Sequence, residues 1–155
     1  MYNNPSPGNK RGGLTTILEK SLGTFAKGGT APMVEFYEDA QPITTPSFTY
    51  MDSLGCNPAS VTGQIASCAN LIAFSTGRGS VSGFKAATGL KLATNTEMCA
   101  HMAEDMDINC GVSIADKGRK IFEELVAVAS GNQTESEELG FGGAEFVPWQ
   151  IDAVM

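Results

Sequence analysis

The chain has 155 residues, of which 42% are hydrophobic and 17% charged, which is the composition of one globular domain and excludes a disordered chain. Its net charge of -7 argues against nucleic acid or an anionic membrane surface as the main partner. No apolar run approaches the length of a bilayer span, and the first residues hold no hydrophobic signal core, so we expect a cytoplasmic protein.

The cysteines and glycines set the expected character of the loops and the core. Four cysteines are present without any CxxC pair, namely Cys56, Cys68, Cys99 and Cys110. In a reducing compartment this favours buried free thiols over disulfides or a zinc site. The glycines cluster between better-patterned segments, which predicts regular elements joined by glycine-rich loops.

The first half of the chain predicts two helices and two short strands. Apolar residues at helical spacing predict a helix over residues 14–27, closed by glycines. The segments "MVEFY" and "SFTYMDS" predict short strands. "NPASVTGQIASCAN" predicts a helix with Pro58 in its first turn, where proline is favoured.

The second half alternates strands with helices. "LIAFST" is a continuous apolar run of strand length, and "GLKLATN" predicts a second strand flanked by Lys85 and Lys91, which we expect at the surface. "TEMCAHMAEDMD" predicts a helix with Thr96 as its N-cap, and the apolar tail "FVPWQIDAVM" is expected to pack down. "ADKGRKIFEELVAVAS" predicts a helix whose buried stripe consists of Ile121, Phe122, Leu125, Val126 and Ala129.

This alternation predicts the fold class, an α/β fold with a mostly parallel sheet flanked by helices, as a Rossmann-like variant. The chain is expected to form one domain over residues 1–155. In such sheets ligands bind beyond the carboxyl ends of the strands. The polar segments "MDSLG", "STGRGS" and "TNT" each follow a predicted strand, so we expect them to converge on one edge of the sheet.

A candidate anion site follows from this convergence. Arg78 lies between Gly77 and Gly79, where a carboxylate can approach the backbone and bind the guanidinium through two parallel hydrogen bonds. "PSPGNKRGG" leads into a predicted helix N-terminus and supplies Lys10 as a second cation. The alternatives are an arginine in a tight turn that points at solvent and a solvated Lys10–Arg11 pair. No loop fits the phosphate-binding GxxxxGK[ST] or GxGxxG patterns.

Several segments together resemble one family. "NPSPGNKRGGLTTILEKSLGTFAKGGTAP", "SVTGQIASCANLIAFSTGRGS", "KLATNTEM", "EDMDINCG" and "EFVPWQIDAVM" are similar to the C-terminal part of the altronate/galactarate dehydratase family of sugar-acid hydro-lyases. The resemblance covers nearly the whole chain in the family's order, with "PSPGNK", "TGRG" and "DIN" as the specific motifs.

The resemblance implies a bacterial, cytosolic enzyme that dehydrates a sugar acid, such as D-altronate to 2-keto-3-deoxy-D-gluconate. It implies a divalent metal, Fe²⁺ or Mn²⁺, with Mg²⁺ or Ca²⁺ as alternatives. It also implies that the chain is an incomplete piece of a larger catalytic domain, so we expect a homo-oligomer or association with the absent upstream part.

The implied chemistry assigns roles to particular residues. Arg78 and Lys10 would hold the substrate carboxylate within the Gly77–Gly79 loop, and hydroxyl groups of the substrate would bind Asn9, Gln64, Thr76 and Asn95. Asp107 and Asn109 offer hard oxygen ligands for the metal, although they can instead belong to a helix end and a turn. The general base is not assigned, and His101 is expected to be exposed on its helix.

Departures from the family pattern leave two other functions open. They include Leu54, Cys56, Ser67, Cys68 and Phe84. The second hypothesis is a related lyase that acts on a sulfonated acid, as the large subunit of a sulfolactate sulfo-lyase does. The third is a non-catalytic domain that keeps the scaffold and binds an acid or a partner subunit.

Overall fold

The computed structural model describes residues 4–111 and 117–147 and places six helices and five strands in them. The helices are α1 (Pro7–Arg11), α2 (Ile17–Lys27), α3 (Asn57–Ala66), α4 (Thr96–His101), α5 (Lys117–Ala129) and α6 (Glu135–Glu138). The strands are β1 (Glu35–Glu38), β2 (Thr49–Asp52), β3 (Leu71–Thr76), β4 (Thr88–Ala93) and β5 (Ile108–Asn109). None of the helices in these ranges has the length and apolar character that a bilayer crossing needs.

The chain divides into two compact units. Unit 1 comprises Met1–Glu35 with Thr45–Thr49, and unit 2 comprises Phe36–Thr44 with Tyr50–Met155. The assignment of residues 1–155 to one domain stays a prediction.

In unit 1, α2 begins three residues later than predicted, at Ile17 instead of Leu14. The reason is a capping box, in which Oγ1 of Thr16 accepts from the backbone N–H of Glu19 and the Glu19 carboxylate accepts from the N–H of Thr16. Hydrogen bonds from the hydroxyl and the backbone N–H of Thr15, and then from the backbone N–H of Thr16, lower the pKa of the Glu19 carboxyl. The helix N-terminus is therefore capped by a carboxylate of its own chain.

In unit 2, β3, β4 and β5 form a parallel sheet in that order, which confirms the α/β fold class. The strands β1 and β2 pair with each other in a separate two-stranded sheet. The expectation that "MDSLG", which follows β2, would join the other two polar segments at one edge of the same sheet was therefore wrong. The hydrophobic pattern alone did not tell which sheet each strand joins.

Two apolar clusters cover the parallel sheet. The first contains Val61, Ile72, Phe84 and Ala87, and the second contains Leu90, Leu92, Ile108 and Val128. Because Leu71 packs against the second cluster and Ile72 belongs to the first, alternate residues of β3 face opposite layers. The first cluster draws on α3 and the second on α5, so the sheet lies between these helices.

Several sequence predictions need correction in detail. On α5, Val128 is buried and Ile121 and Leu125 are partly buried, whereas the predicted stripe residues Phe122, Val126 and Ala129 are exposed. Asn95, not Thr96, caps α4, since its side chain accepts from the N–H of Met98.

The exposure of the cysteines and of His101 can be compared with the sequence predictions. All four cysteines are free, as expected, but Cys68 is exposed and the others are half-buried, so the prediction of buried thiols was wrong. His101 is exposed on α4, as expected. Most of the apolar C-terminal stretch "FVPWQIDAVM", residues 146–155, lies outside the described residues, so the expectation that it packs down stays a prediction.

Candidate carboxylate-binding site

The parallel register brings three strand ends to one edge of the sheet. Thr76 at the end of β3 is paired with Ala93 of β4, and Ala93 is paired with Asn109 of β5. The segments that follow these residues are therefore neighbours. Two of them, "TGRG" and "TNT", are segments that the sequence predicted to meet.

The turn that carries Arg78 is fixed by side chains as well as backbone. Oγ1 of Thr76 accepts from the backbone N–H groups of Arg78 at 3.3 Å and Gly79 at 3.1 Å. Nδ2 of Asn95 donates to the carbonyl oxygen of Gly77 at 3.0 Å. The turn is thus held both by the strand it leaves and by the loop after the neighbouring strand.

Gly79 is required by its conformation and its neighbour. Its φ of +90° lies in the region that favours glycine, and a Cβ at this position would overlap Sδ of Met102. The glycine therefore lets the chain reverse against Met102, the C-cap residue of α4. This accounts for one of the two glycines that flank Arg78.

The side chain of Arg78 is exposed, and within the described ranges no hydrogen bond or ion pair engages its guanidinium. Its five N–H donors are thus available to a ligand. A planar fork on a fixed backbone suits a carboxylate, which it can bind through two parallel hydrogen bonds.

Asn95 and Asn109 hold the edge together. Oδ1 of Asn95 accepts from the N–H of Met98 at 2.8 Å while its amide nitrogen binds Gly77, so both ends of this side chain are engaged. Oδ1 of Asn109 accepts from the N–H of Gly111 at 2.9 Å. A Cβ on Gly111 would lie 2.8 Å from backbone atoms of Asn95, which shows how closely the two segments approach.

Asp107 has both carboxylate oxygens engaged by backbone donors. Oδ2 accepts from the N–H of Lys91 at 2.6 Å and Oδ1 accepts from the N–H of Glu135 at 2.9 Å. The described residues hold no group of three or more His, Cys, Asp or Glu side chains placed to bind a metal. Asp107 thus ties β4 to the start of α6, and the metal role of Asp107 and Asn109 stays a prediction.

Lys91 was expected at the surface, and this prediction was wrong. It lies in β4 with only 1% of its surface exposed, and its Nζ donates to Oγ of Ser136 at 2.7 Å. Burial lowers its pKa, and the charges of Asp105, Asp107, Glu145 and Glu135 oppose that shift. Nζ lies 3.9 Å from Oδ1 of Asp105. The available signal was the pattern "GLKLA", in which a lysine falls between two leucines of a buried strand.

The remaining candidates lie elsewhere. Gln64 is on α3, where its Nε2 donates to Oγ of Ser60 at 3.3 Å. Asn9 and Lys10 belong to unit 1. Oδ1 of Asn9 accepts from the N–H of Ser6 at 3.1 Å as part of the cap of α1, and Lys10 is exposed. The ligand roles of these residues stay predictions.

The parallel sheet and its flanking helices make this an α/β protein. The turn that carries Arg78, at the carboxyl edge of that sheet, is its candidate anion site. Residues 1–154 match the family described as D-galactarate/Altronate dehydratase, C-terminal, and the chain belongs to this family.

The chain is also similar to individual curated proteins of dehydratase name. The chain is 38% identical over 144 residues to the galactarate dehydratase (L-threo-forming) of Escherichia coli K12, which covers 88% of this chain and 28% of that protein. It is 31% identical over 147 residues to the altronate dehydratase of Bacillus subtilis 168, covering 91% of this chain and 29% of that protein.

A third relative carries the name of a different reaction. The chain is 34% identical over 143 residues to the (2R)-sulfolactate sulfo-lyase subunit beta of Chromohalobacter salexigens, covering 88% of this chain and 37% of that subunit. The chain thus spans well under half the length of each of these relatives.

Proposed function

We propose that this chain supplies the C-terminal part of the catalytic domain of a sugar-acid hydro-lyase that acts on galactarate, altronate or a similar acid, and that Arg78 binds the substrate carboxylate. The observation that supports it is an exposed guanidinium without a protein partner in the described residues, on a turn fixed at the carboxyl edge of the sheet. Membership of the dehydratase family supports the reaction class.

The proposed reaction explains the need for a cation at this position. Removal of the C2 proton of a 2,3-dihydroxy acid places further negative charge on a carboxylate that is already ionised. A guanidinium held on a rigid turn stabilises that enediolate without reorganisation. The C3–O bond then breaks, the hydroxyl accepts a proton and leaves as water, and the resulting enol becomes a 2-keto-3-deoxy acid.

The expected divalent metal, Fe²⁺ or Mn²⁺, is also a proposal. Such an ion would supply a further positive charge beside the developing enediolate. Asp107 and Asn109 stay the candidate ligands in this chain, because an oxygen that accepts one backbone hydrogen bond keeps a second lone pair that can bind the ion. Asp107→Asn protein should therefore hold less metal than wild-type protein.

A sulfo-lyase is the second candidate, supported by the 34% identity to the sulfolactate sulfo-lyase subunit. Its substrate is also a carboxylate that loses a C2 proton, so Arg78 would serve the same role, while sulfite leaves in place of water. The two reactions are separated by their products, since only one releases sulfite.

We further propose that the protein acts in the cytoplasm and associates with itself or with further catalytic-domain sequence. Large apolar side chains are exposed in both units, with Phe25 of unit 1 at 83% and Phe122 of unit 2 at 66%. Exposed aromatic surface of this kind favours association. Light scattering across a concentration series should show a mass above that of one chain.

The test of the main proposal uses three variants of the full chain: Arg78→Ala, Arg78→Lys and, as matched control, Arg119→Ala. Arg119 is an exposed arginine paired with Glu123 on α5. Binding of galactarate and altronate is measured by calorimetry, and turnover with added Fe²⁺ or Mn²⁺ is followed as 2-keto-3-deoxy acid.

We expect Arg78→Ala to weaken acid binding by about tenfold or more, Arg78→Lys to recover part of it, and the control to bind as wild type. Equal binding by Arg78→Ala and Arg119→Ala would reject the role of Arg78. Binding without turnover would support a domain that needs further catalytic residues, and release of sulfite from sulfolactate would favour the second candidate.

A further inference from the structure

The carboxylate of Glu145 accepts hydrogen bonds from two consecutive backbone N–H groups that are distant from it in the sequence of unit 2. Oε2 of Glu145 accepts from the N–H of Phe84 at 3.2 Å and also from the N–H of Gly83, 62 residues away along the chain. Glu19, whose Oε2 also accepts from two consecutive backbone N–H groups, binds residues only three and four positions away. The contact of Glu145 is therefore not a local cap.

The backbone at this point is shaped to present both donors. Phe84 has a φ of +46°, which is uncommon for a residue with a side chain. Its ring is buried with Val61 and Ile72, and its carbonyl oxygen accepts from the N–H of Ala87 at 2.9 Å. Successive N–H groups that converge in this way form a concavity that binds anions.

The electrostatic surroundings also favour an anion. Gly83 and Phe84 are buried, so their N–H groups act in a medium that strengthens charge-assisted hydrogen bonds. The buried ammonium group of Lys91 attracts Glu145 as well. A carboxylate at this position is thus stabilised by two amide donors and a cation.

The segment that delivers Glu145 makes two further contacts. We call residues 140–147 the tail segment and residues 77–87, which join β3 to β4, the crossover loop. The N–H of Lys85 donates to the carbonyl oxygen of Gly142 at 3.2 Å, and the N–H of Val147 donates to Oγ1 of Thr62 at 2.9 Å. A Cβ on Gly142 would lie 2.8 Å from the nitrogen of Phe84, so the two backbones are in direct contact.

We propose that the N–H groups of Gly83 and Phe84 form a carboxylate-binding site, that Glu145 is its built-in ligand, and that this contact fastens the tail segment to the crossover loop. The site is separate from the proposed role of Arg78 and does not depend on it. When Glu145 is absent, a free carboxylate of small size can take its place.

The experiment measures amide hydrogen exchange by NMR on the full, ¹⁵N-labelled 155-residue chain. The variants are Glu145→Ala, Glu145→Gln and the control Glu138→Ala, which removes an exposed carboxylate of α6. The probe ligand is acetate, compared with chloride at the same ionic strength. The amide of Leu90 in β4 reports whether each variant is folded.

We expect the amides of Gly83 and Phe84 to exchange about tenfold faster or more in Glu145→Ala, while that of Leu90 is unchanged. Acetate should restore protection in this variant and chloride should not. Glu145→Gln should lie between the two, because one neutral oxygen replaces the carboxylate, and Glu138→Ala should match wild type.

Unchanged exchange in a folded Glu145→Ala chain, or equal effects of acetate and chloride, would overturn the proposal. If Glu145→Ala does not fold, Glu145→Gln gives the same comparison with side-chain volume retained. The wild type provides a test that needs no variant, since exchange of Gly83 and Phe84 at the rate of exposed peptides would also reject the site.

Discussion

Nζ of Lys91 donates a hydrogen bond to Oγ of Ser136 at 2.7 Å, although the two residues lie 45 positions apart and each is only 1% exposed. The bond joins the central strand of the parallel sheet to α6. A buried ammonium group that has to be desolvated is costly unless such partners are present. The stability of the sheet therefore depends on whether the Nζ group of Lys91 is protonated.

The first prediction concerns alkaline pH. Burial lowers the pKa of Lys91 in the folded chain, whereas in the unfolded chain it returns to about 10.4. Between these two values the unfolded state binds more protons, so the contribution of Lys91 makes the free energy of unfolding rise with pH. Urea unfolding at a series of pH values should show this rise in wild type and not in Lys91→Met.

The size of the side chain provides the matched comparison. Lys91→Ala leaves a cavity beside Ser136 and should lower the free energy of unfolding by about 2–4 kcal/mol. Lys91→Met keeps most of the volume and should cost less. Parallel pH dependence in wild type and Lys91→Met would show that Lys91 does not titrate differently on folding.

The second prediction concerns Asp107. Its two oxygens accept from the N–H groups of Lys91 and Glu135, and an amide has only one oxygen for the two donors. Asp107→Asn should therefore lower the free energy of unfolding by about 1–3 kcal/mol, because a half-buried backbone donor loses its acceptor. The control Asp52→Asn changes an exposed carboxylate at the end of β2 and should unfold as wild type does in urea. Equal midpoints for both variants would contradict the structural role.

The third prediction compares two glycines of unit 2. Gly142 has a φ of +97° and lies against the backbone of Phe84, so Gly142→Ala should cost about 2 kcal/mol or more. Gly118 lies in the first turn of α5 with no atom within 4 Å of a Cβ placed there. Gly118→Ala should be neutral or stabilise by up to about 1 kcal/mol. Thermal unfolding measures both, and a stabilising Gly142→Ala would show that the tail segment is not in contact with the crossover loop.

The fourth prediction concerns the turn of Arg78. Thr76→Val removes the hydroxyl that accepts from the N–H groups of Arg78 and Gly79 while keeping the shape of the side chain. Exchange of these two amides should become about tenfold faster, and Thr76→Ser should restore protection. If both variants protect the amides equally, the turn is fixed by its backbone and Asn95 alone.

Elements with a strong apolar pattern could be predicted from the sequence. The run "LIAFST" predicted β3 with its observed bounds, although only Ile72 of it is buried, and "NPASVTGQIASCAN" predicted α3 from its first residue. The edge formed by "TGRG" and "TNT" followed from the parallel arrangement of β3 and β4. Local pattern and topology were sufficient for the turn that carries Arg78.

Contacts between distant segments could not be predicted. Lys91 was predicted at the surface because its buried partner could not be identified from the sequence. That partner, Ser136, lies on a helix of four residues, which is too short to give a periodic pattern. The sequence offered Asp107 as a metal ligand or a helix-end residue, because its two backbone partners lie in other elements and leave no local pattern. The length of a short helix and the identity of its partner depend on tertiary packing, which one sequence does not contain.

The crossover loop joins two parallel strands without a helix, and Phe84 and Ala87 at its far end pack with Val61 of α3 on one face of the sheet. Its first turn is held by Thr76 and Asn95 and its last turn by Glu145, so only residues 80–82 lie between two fixed points. Within this span the N–H of Ser82 donates to Oγ of Ser80 at 3.3 Å. The two ends of the crossover loop are thus fixed independently of its middle, so a substitution in residues 80–82 should leave both turns in place.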